Sequence, residues 1–393
     1  MTNSLSARAI AEANNSLLAF AKFLSPNDTG LTGGHQCGIY IPKNSVALVF
    51  ENGPFDKGSN RDRWATIEWN GNPEVTTRSR FVYYGSGTRN EYRITNFGRG
   101  FNLLKPSHTG DLVVICKISE DLYRAFLLES DDEIQDFLDA FSIAPTELNS
   151  LITAGGKTKV DVKSLFDQYY VQFGKSFPST QVMAVTAEEA DSIINGSNPA
   201  MSADEQIVRW IDTEYKLFRH IEELHYDYVT LKPAPSLEDF VQTGLEITNR
   251  RKSRAGKSLE HHLASIFNAR NISFSSQPTT EGNKKPDFIF PSKEAYHNPA
   301  FPEEKLTFLG AKTTCKDRWR QVINEAHRCK TKYLFTLQQG VSPNQLNEMH
   351  EENVILVVPQ PYHKSYPATD YVSVISLEDF LKMLSEKEIQ PST

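Results

Sequence analysis

The sequence is poor in the features that would tie a chain to a membrane, to an oxidising compartment or to DNA coating without selectivity. No run of 18 apolar residues occurs in its 393 residues, so a spanning helix is not expected. The amino terminus, MTNSLSARAIAEANNSLLAF, has no basic start followed by an apolar core and cleavage site; it reads as an amphipathic helix of a cytoplasmic protein. Cysteine is scarce. Cys37, Cys116, Cys315 and Cys329 show no paired metal-ligand spacing, which makes them reduced thiols and leaves zinc without a site. Internal repeats and low-complexity tracts are missing too. A net charge of −7 argues against nonspecific wrapping by DNA.

What is present describes a globular chain, 39% hydrophobic and 23% charged, long enough for two domains. Its charge is uneven. Residues 250–332 hold 17 Lys and Arg against 8 Asp and Glu, a local +9 inside an acidic whole. Such a field suits a docked polyanion, although a solvated charged surface gives the same count.

The stretch from Lys284 to Glu325 carries the most chemistry. Asp287 stands ahead of a short apolar strand, Phe288 to Phe290, and a second strand ends at Lys312. An acid and a lysine at neighbouring strand ends suit phosphodiester hydrolysis: the acid holds a hard divalent cation, and the lysine steadies the attacking oxygen. The usual pattern places a second acid two residues before the lysine. Gly310 stands there, and Glu325, 13 residues after Lys312 on an expected helix, is the natural replacement. Read alone, Asp287 serves equally as a turn residue after proline and Glu325 as a solvated helix charge.

The strings NRRKSRAGKSLEHHL, TEGNKKPDFIFPS and KTTCKDRWRQVINEA, with NDTGLTGGHQCGIYIP and TRNEYRITNFGRG near the start, resemble the EcoRII restriction endonuclease family. The resemblance spans both ends and is weakest over 110–204. It implies Asp287 and Glu325 as metal ligands, Lys312 as the catalytic lysine, Tyr296 lining the site, and Mg2+ as the cofactor with no nucleotide cofactor. It implies that Lys316, Asp317 and Arg318, at the start of a helix, read the outer C and G pairs of double-stranded DNA. Chemistry agrees, since lysine and arginine donate to guanine and aspartate accepts from cytosine; consecutive charges at a helix start are also ordinary capping.

Residues 1–152 alternate short apolar runs, VALVFENG, RFVYYGSG, DLVVICKI and YRAFLLES, with Gly, Asn, Asp and Pro, as a compact β barrel or sandwich does. The resemblance sharpens this to a β pseudobarrel that binds an additional, effector DNA. His35 with Tyr40, and Arg89, Asn90, Glu91 and Arg93, are its candidate contacts, while Gly87 and Tyr92 replace basic residues of the family. LITAGGKTKV, 151–160, has the small and polar character of a linker, which is placed at 153–160, and 161–393 reads as an α/β endonuclease domain of the PD-(D/E)xK kind. A long amphipathic helix is expected over Asp204 to Tyr228, with Tyr215 at the family's base-stacking position and Ile211 where its arginine would stand.

The function these readings support is a type II restriction endonuclease acting as a homodimer on a short palindromic site, CC(A/T)GG-like, and restrained by its N-terminal domain until that domain binds DNA. An orthodox homodimeric nuclease without effector control, or a noncatalytic sequence-specific DNA-binding protein, are the alternatives.

Overall fold

The computed structural model describes residues 4–32, 38–152, 162–196, 198, 200–227 and 236–389. Two mixed sheets organise it, each with its own buried core. The first holds β1 (Leu18–Phe23), β2 (Ile39–Ile41), β3 (Arg61–Trp69), β4 (Asn72–Tyr84), β5 (Glu91–Thr95), β6 (Leu112–Lys117), β7 (Leu122–Leu128) and β8 (Ser150–Ile152). Their order is β2-β5-β4-β3-β7-β6-β1-β8, antiparallel except where β3 meets β7. Trp69, Phe81, Tyr83, Tyr92 and Tyr123 fill one side of this curled sheet. Against the other side lie α1 (Leu5–Asn15) and α2 (Asp131–Phe141).

One run departs from the strand reading. VALVFENG lies in a 3-10 helix (Lys43–Leu48) and the turn after it. Val46, Leu48 and Val49 bury themselves under the sheet as a plug, so the apolar run serves packing without a ladder.

Among the described residues, four helices follow: α3 (Val162–Gln172), α4 (Thr180–Asn195), α5 (Ala203–His225) and α6 (Leu237–Ala269). The α5 face expected from helical spacing is the buried one, with Ile207, Ile211, Tyr215 and Phe218 inside. The basic run Arg250 to Lys257 is helical throughout. It lies within α6, one continuous helix of 33 residues, because no proline or cap interrupts the sequence after Ser236.

The second sheet has the order β14-β13-β12-β11-β10-β9. It contains β9 (Ser275–Ser276), β10 (Phe288–Phe290), β11 (Thr307–Lys312), β12 (Lys332–Thr336), β13 (Val354–Val357) and β14 (Val374–Ile375). From β11 to β14 the neighbours are parallel, while β9, β10 and β11 are antiparallel. The parallel strands are buried on both faces and read as continuous apolar runs, as KYLFTL and NVILVVP do. Short helices α7 (Lys293–His297) and α8 (Trp319–Val322), then α9 (Pro343–Glu351) and α10 (Leu377–Ile389), cover the sheet. No helix among the described residues is long and apolar enough to cross a membrane. The linker reading falls on 153–160, outside the described residues.

Candidate active site and its contacts with the N-terminal domain

The antiparallel pairing of β10 with β11 sets Phe288 opposite Leu309, so Asp287 and Lys312 emerge together at one end of the pair. One Asp287 oxygen accepts the Ala311 N–H at 2.8 Å and the Lys312 ammonium at 3.2 Å. The carboxylate is thus fixed by backbone as well as by charge.

Gly310 shows why the second acid stands elsewhere. A Cβ added there would meet Val322 Cγ1 at 2.9 Å and Leu334 Cδ1 at 3.4 Å. Val322 of α8 sits directly on the glycine, and that contact brings the following turn over the strand ends. Glu325, three residues on, is half-buried there. Burial pushes its carboxyl above the usual range, the negative charge of Asp287 pushes it further, and Lys312 opposes both. The three side chains therefore share one electrostatic neighbourhood, with oxygen donors suited to a hard cation.

The expected helix from Lys316 through Glu325 is not continuous. Residues 316–318 form turns, α8 is a single helical turn, and Glu325 lies in a further turn that ends with Ala326 at φ 50°. Basic side chains hold that turn by its carbonyls. Lys284 donates to Asn324 O at 2.6 Å, and Lys332 donates to Glu325 O and, at 2.7 Å, to Ala326 O.

The hydrogen bonds of the Tyr296 hydroxyl go to Glu281 and the Arg328 N–H, not to the acid–lysine pair. The residue is buried, its hydroxyl donates to Glu281, and that carboxylate accepts the His327 N–H at 3.4 Å. Burial and the Glu281 partner push its phenol well up, so the group stays neutral. Its place is beneath the turn carrying Glu325.

A cavity of about 470 Å3 opens beside Lys312, walled by Lys252, Gly256 and Glu260 of α6, by Thr313 and Arg318, and by Asp132, Gln135, Asp136 and Asp139 of α2. Glu260, whose carboxylate takes Lys257 at 3.3 Å and Gln277 at 2.6 Å, faces the same cavity as the lysine. It lies well inside α6, 23 residues past Leu237.

The fourth wall comes from the N-terminal domain. Asp131 Oδ2 accepts the N–H groups of Asp317 at 2.6 Å and Arg318 at 2.9 Å, and Asp317 in turn accepts the Asp131 N–H at 3.4 Å. Arg318 pairs with Asp132 at 3.0 Å and Lys252 with Asp136 at 3.2 Å. Lys316 is buried against Asp111. All three candidate base-reading residues are thus engaged by acids of the other domain. The signal was on the page as DDEIQD, an acidic run in a chain whose basic field lies 120 residues away.

In the N-terminal domain, β2 and β5 set Tyr40 directly opposite Arg93. Arg89 is exposed and stacks over Tyr84 at 5.0 Å, whereas Arg93 is buried, pairs with Glu91 at 3.3 Å and donates to Gly38 O at 3.2 Å. Arg93 therefore braces the strand pair rather than projecting from it. Asn90 accepts from the Tyr83 hydroxyl at 3.1 Å. Tyr92, at a departure from the family pattern, is a core residue stacked on Tyr83. His35 lies outside the described residues. Tyr215 is buried beneath the Arg254 guanidinium, 3.7 Å from its ring, so the expected stacking platform is covered. His108, Asp111 and Glu129 form a possible cation cluster in the N-terminal domain. Asp111 there already meets Lys316, and the cluster shares no residue with the Asp287 pair.

Comparison with known proteins places these residues in a family. A model described as EcoRII C terminal matches residues 218–381, and one described as restriction endonuclease EcoRII, N-terminal, matches 13–153. The chain is 37% identical over 387 residues to the type II restriction enzyme EcoRII of Escherichia coli, covering 93% of each protein. It is 26% identical over 174 residues to the type II restriction enzyme SsoII of Shigella sonnei, covering 40% of this chain and 56% of that enzyme. A solved structure of metal-depleted Ecl18kI with uncleaved, modified DNA aligns over 59% of this chain and 86% of that one, at 20% identity and a TM-score of 0.43. With both EcoRII domains present and that identity sustained along nearly the whole chain, the protein belongs to the EcoRII family of type II restriction endonucleases.

Proposed function

We propose that the protein cuts both strands of a short palindromic site in double-stranded DNA, CC(A/T)GG-like, by magnesium-dependent phosphodiester hydrolysis. It acts as a homodimer, because a two-fold symmetric site calls for two copies of a single-strand-cutting centre. The observation that carries the chemistry is the convergence of Asp287, Lys312 and Glu325.

Asp287 and Glu325 would hold the cation, and their all-oxygen donor set fits magnesium. When bound, the cation neutralises the phosphate and makes a water more acidic. The chain does the rest. Asp287, pinned by the Ala311 N–H, keeps the lysine aligned with the scissile phosphate. The Lys312 ammonium stabilises negative charge as it builds on the reacting oxygens. Glu325 must be ionised to contribute, and Lys312 favours that form against burial. Lys316 and Arg318 donate to guanine O6 and N7, and Asp317 accepts from cytosine N4. These groups share β11 and its exit turn with Lys312, so a correct site aligns the chemistry.

Restraint by the N-terminal domain is the second part of the proposal. Asp111, Asp131 and Asp132 occupy the donors that DNA would need, as an acidic surface competing with the duplex. Effector DNA held by Tyr40, Arg89 and His35 would favour a state in which those acids withdraw.

The test is cleavage, with magnesium, of two otherwise identical plasmids bearing one and three CC(A/T)GG sites, with Asp287→Ala alongside. Cutting of only the three-site plasmid, and only by the unaltered protein, is the expected result. Equal cutting of both plasmids overturns the restraint, and no cutting of either overturns the nuclease at this site.

A further inference from the structure

The two carboxylates assigned to the cation are held in different ways. Asp287 is fixed through its own oxygen, by the Ala311 N–H and the Lys312 ammonium. Among the described residues, no hydrogen bond or ion pair holds the Glu325 carboxylate, so its place is set by its backbone. That backbone lies in a turn, where the Glu325 N–H donates to Val322 O at 3.1 Å. Ala326, the next residue, sits at φ 50°, a conformation that residues with a side chain rarely adopt.

The turn is pinned by Lys332. Its ammonium donates to the carbonyls of Glu325 and Ala326, the latter at 2.7 Å, and lies 5.5 Å from the centre of the Phe308 ring. The residue is 5% exposed, and among the described residues no carboxylate pairs with it. A buried ammonium without a counter-ion is unfavourable unless its donors are met, and here carbonyls meet them. Packing alone does not call for a charge. Phe308 belongs to an apolar cluster with Val322, Ala326 and Leu334, where a methionine would fill similar space at no electrostatic cost.

Lys332 is itself anchored. It opens β12, donates its N–H to Asn353 O at 2.9 Å, and pairs with Phe308 on one side and Val354 on the other. The Glu325 carbonyl is thereby tied to the sheet that positions Asp287 and Lys312. Lys284, half-buried, adds a second tie at Asn324 O, 2.6 Å away.

We propose that Lys332, with Lys284 beside it, is a positioning residue for the cation: by holding the Glu325 backbone it keeps that carboxylate where it and Asp287 can share one ion. The inference rests on the metal reading of Asp287 and Glu325 given above and names what sets the affinity of that site. Outer partners that orient a metal ligand are worth roughly 10- to 100-fold in metal affinity.

The experiment is titration of the full chain with Mn2+, the free ion being read by electron paramagnetic resonance. Unaltered protein is compared with Asp287→Ala, Lys332→Met, Lys332→Arg and Lys284→Met, each with a thermal melt and a magnesium series for cleavage of the three-site plasmid. The expected result is an Asp287-dependent Mn2+ site that Lys332→Met weakens by about tenfold or more and Lys332→Arg partly restores. The half-saturating magnesium concentration should rise by a similar factor, while the rate at saturating magnesium stays within about threefold. Lys284→Met should shift both in the same direction by less, and it carries the test if Lys332→Met does not fold. A lowered melt with unchanged Mn2+ affinity would make the lysines supports of the fold alone and overturn the proposal, with the metal site left standing. Absence of Mn2+ binding that depends on Asp287 would overturn the metal reading itself.

Discussion

Asp131 and Asp317 cap one another across the domain boundary. Each carboxylate accepts the other residue's backbone N–H, at 2.6 Å to Asp131 and 3.4 Å to Asp317, and each stands at the start of a helical segment where negative charge is favoured. The pair locks the turn that follows Lys312 in the conformation the N-terminal domain selects. Replacing Asp131 and Asp132 together by alanine should loosen it. Charge-assisted bonds of this kind contribute roughly 1.5–3 kcal/mol each, so cleavage of a single-site plasmid should rise by at least about tenfold. An unchanged single-site rate would show that these contacts do not restrain the enzyme.

Lys312→Ala should reduce cutting by roughly 10^2–10^3-fold or more, the scale for removing one preorganised charge-stabilising group. Sequence-specific binding, read by mobility shift in calcium, should survive. Loss of binding as well would mean that the lysine holds DNA rather than acting on it.

For Arg318→Ala, discrimination at one base pair should fall by about 1–3 kcal/mol, seen as relaxed preference in a binding selection on random DNA. A uniform loss across all sequences would make Arg318 a phosphate contact.

Gly310→Asp would restore the acid two residues before the lysine. It should nevertheless destabilise the protein by roughly 1–3 kcal/mol, since Val322 occupies the space. Adding Val322→Ala should recover part of the loss in a thermal melt; no recovery would place the strain elsewhere.

His262 lies fully buried between Glu188 at 2.9 Å and Glu214 at 2.9 Å. Burial lowers its affinity for a proton, but the two carboxylates outweigh that and raise its pKa to about 9. A raised histidine stabilises the fold fully below its unfolded value near 6.5, and the contribution is lost as pH rises through about 9. On the order of 3 kcal/mol is at stake. The melting temperature should fall across that window, and a His262→Gln variant should show a flatter slope.

The meeting of Asp287 with Lys312 was legible because strand ends announce themselves: Pro-Asp before FIF, and a lysine closing TFLGAK. Glu325 was legible as an identity but not as a geometry. A helix was the economical way to carry a charge 13 residues back to the strand, whereas the chain uses Val322 on Gly310 and a turn held by Lys284 and Lys332. Those lysines had no periodic signature, because a cation that binds carbonyls obeys no spacing rule. The barrel strands followed from alternation except at Val46 to Val49, where an apolar run plugs the sheet instead of joining it. Arg93 was misjudged because β5 is buried on both faces over Tyr92 to Ile94, so its polar residue points inward too. The charges of α2 were visible, but nothing in one sequence tells an acidic helix which basic surface it will meet.

The pairing of β1 with β8 closes the first sheet using residues 19–21 and 150–152. Every strand of that sheet has therefore left the ribosome before Asp287 or Lys312 is made, and domains fold in the order they emerge. The acids of α2 are in place when the basic turn at 316–318 arrives. Under the restraint proposed above, a nascent chain would meet its own cover before its basic turn could meet DNA, so the order of synthesis would itself delay that turn's exposure.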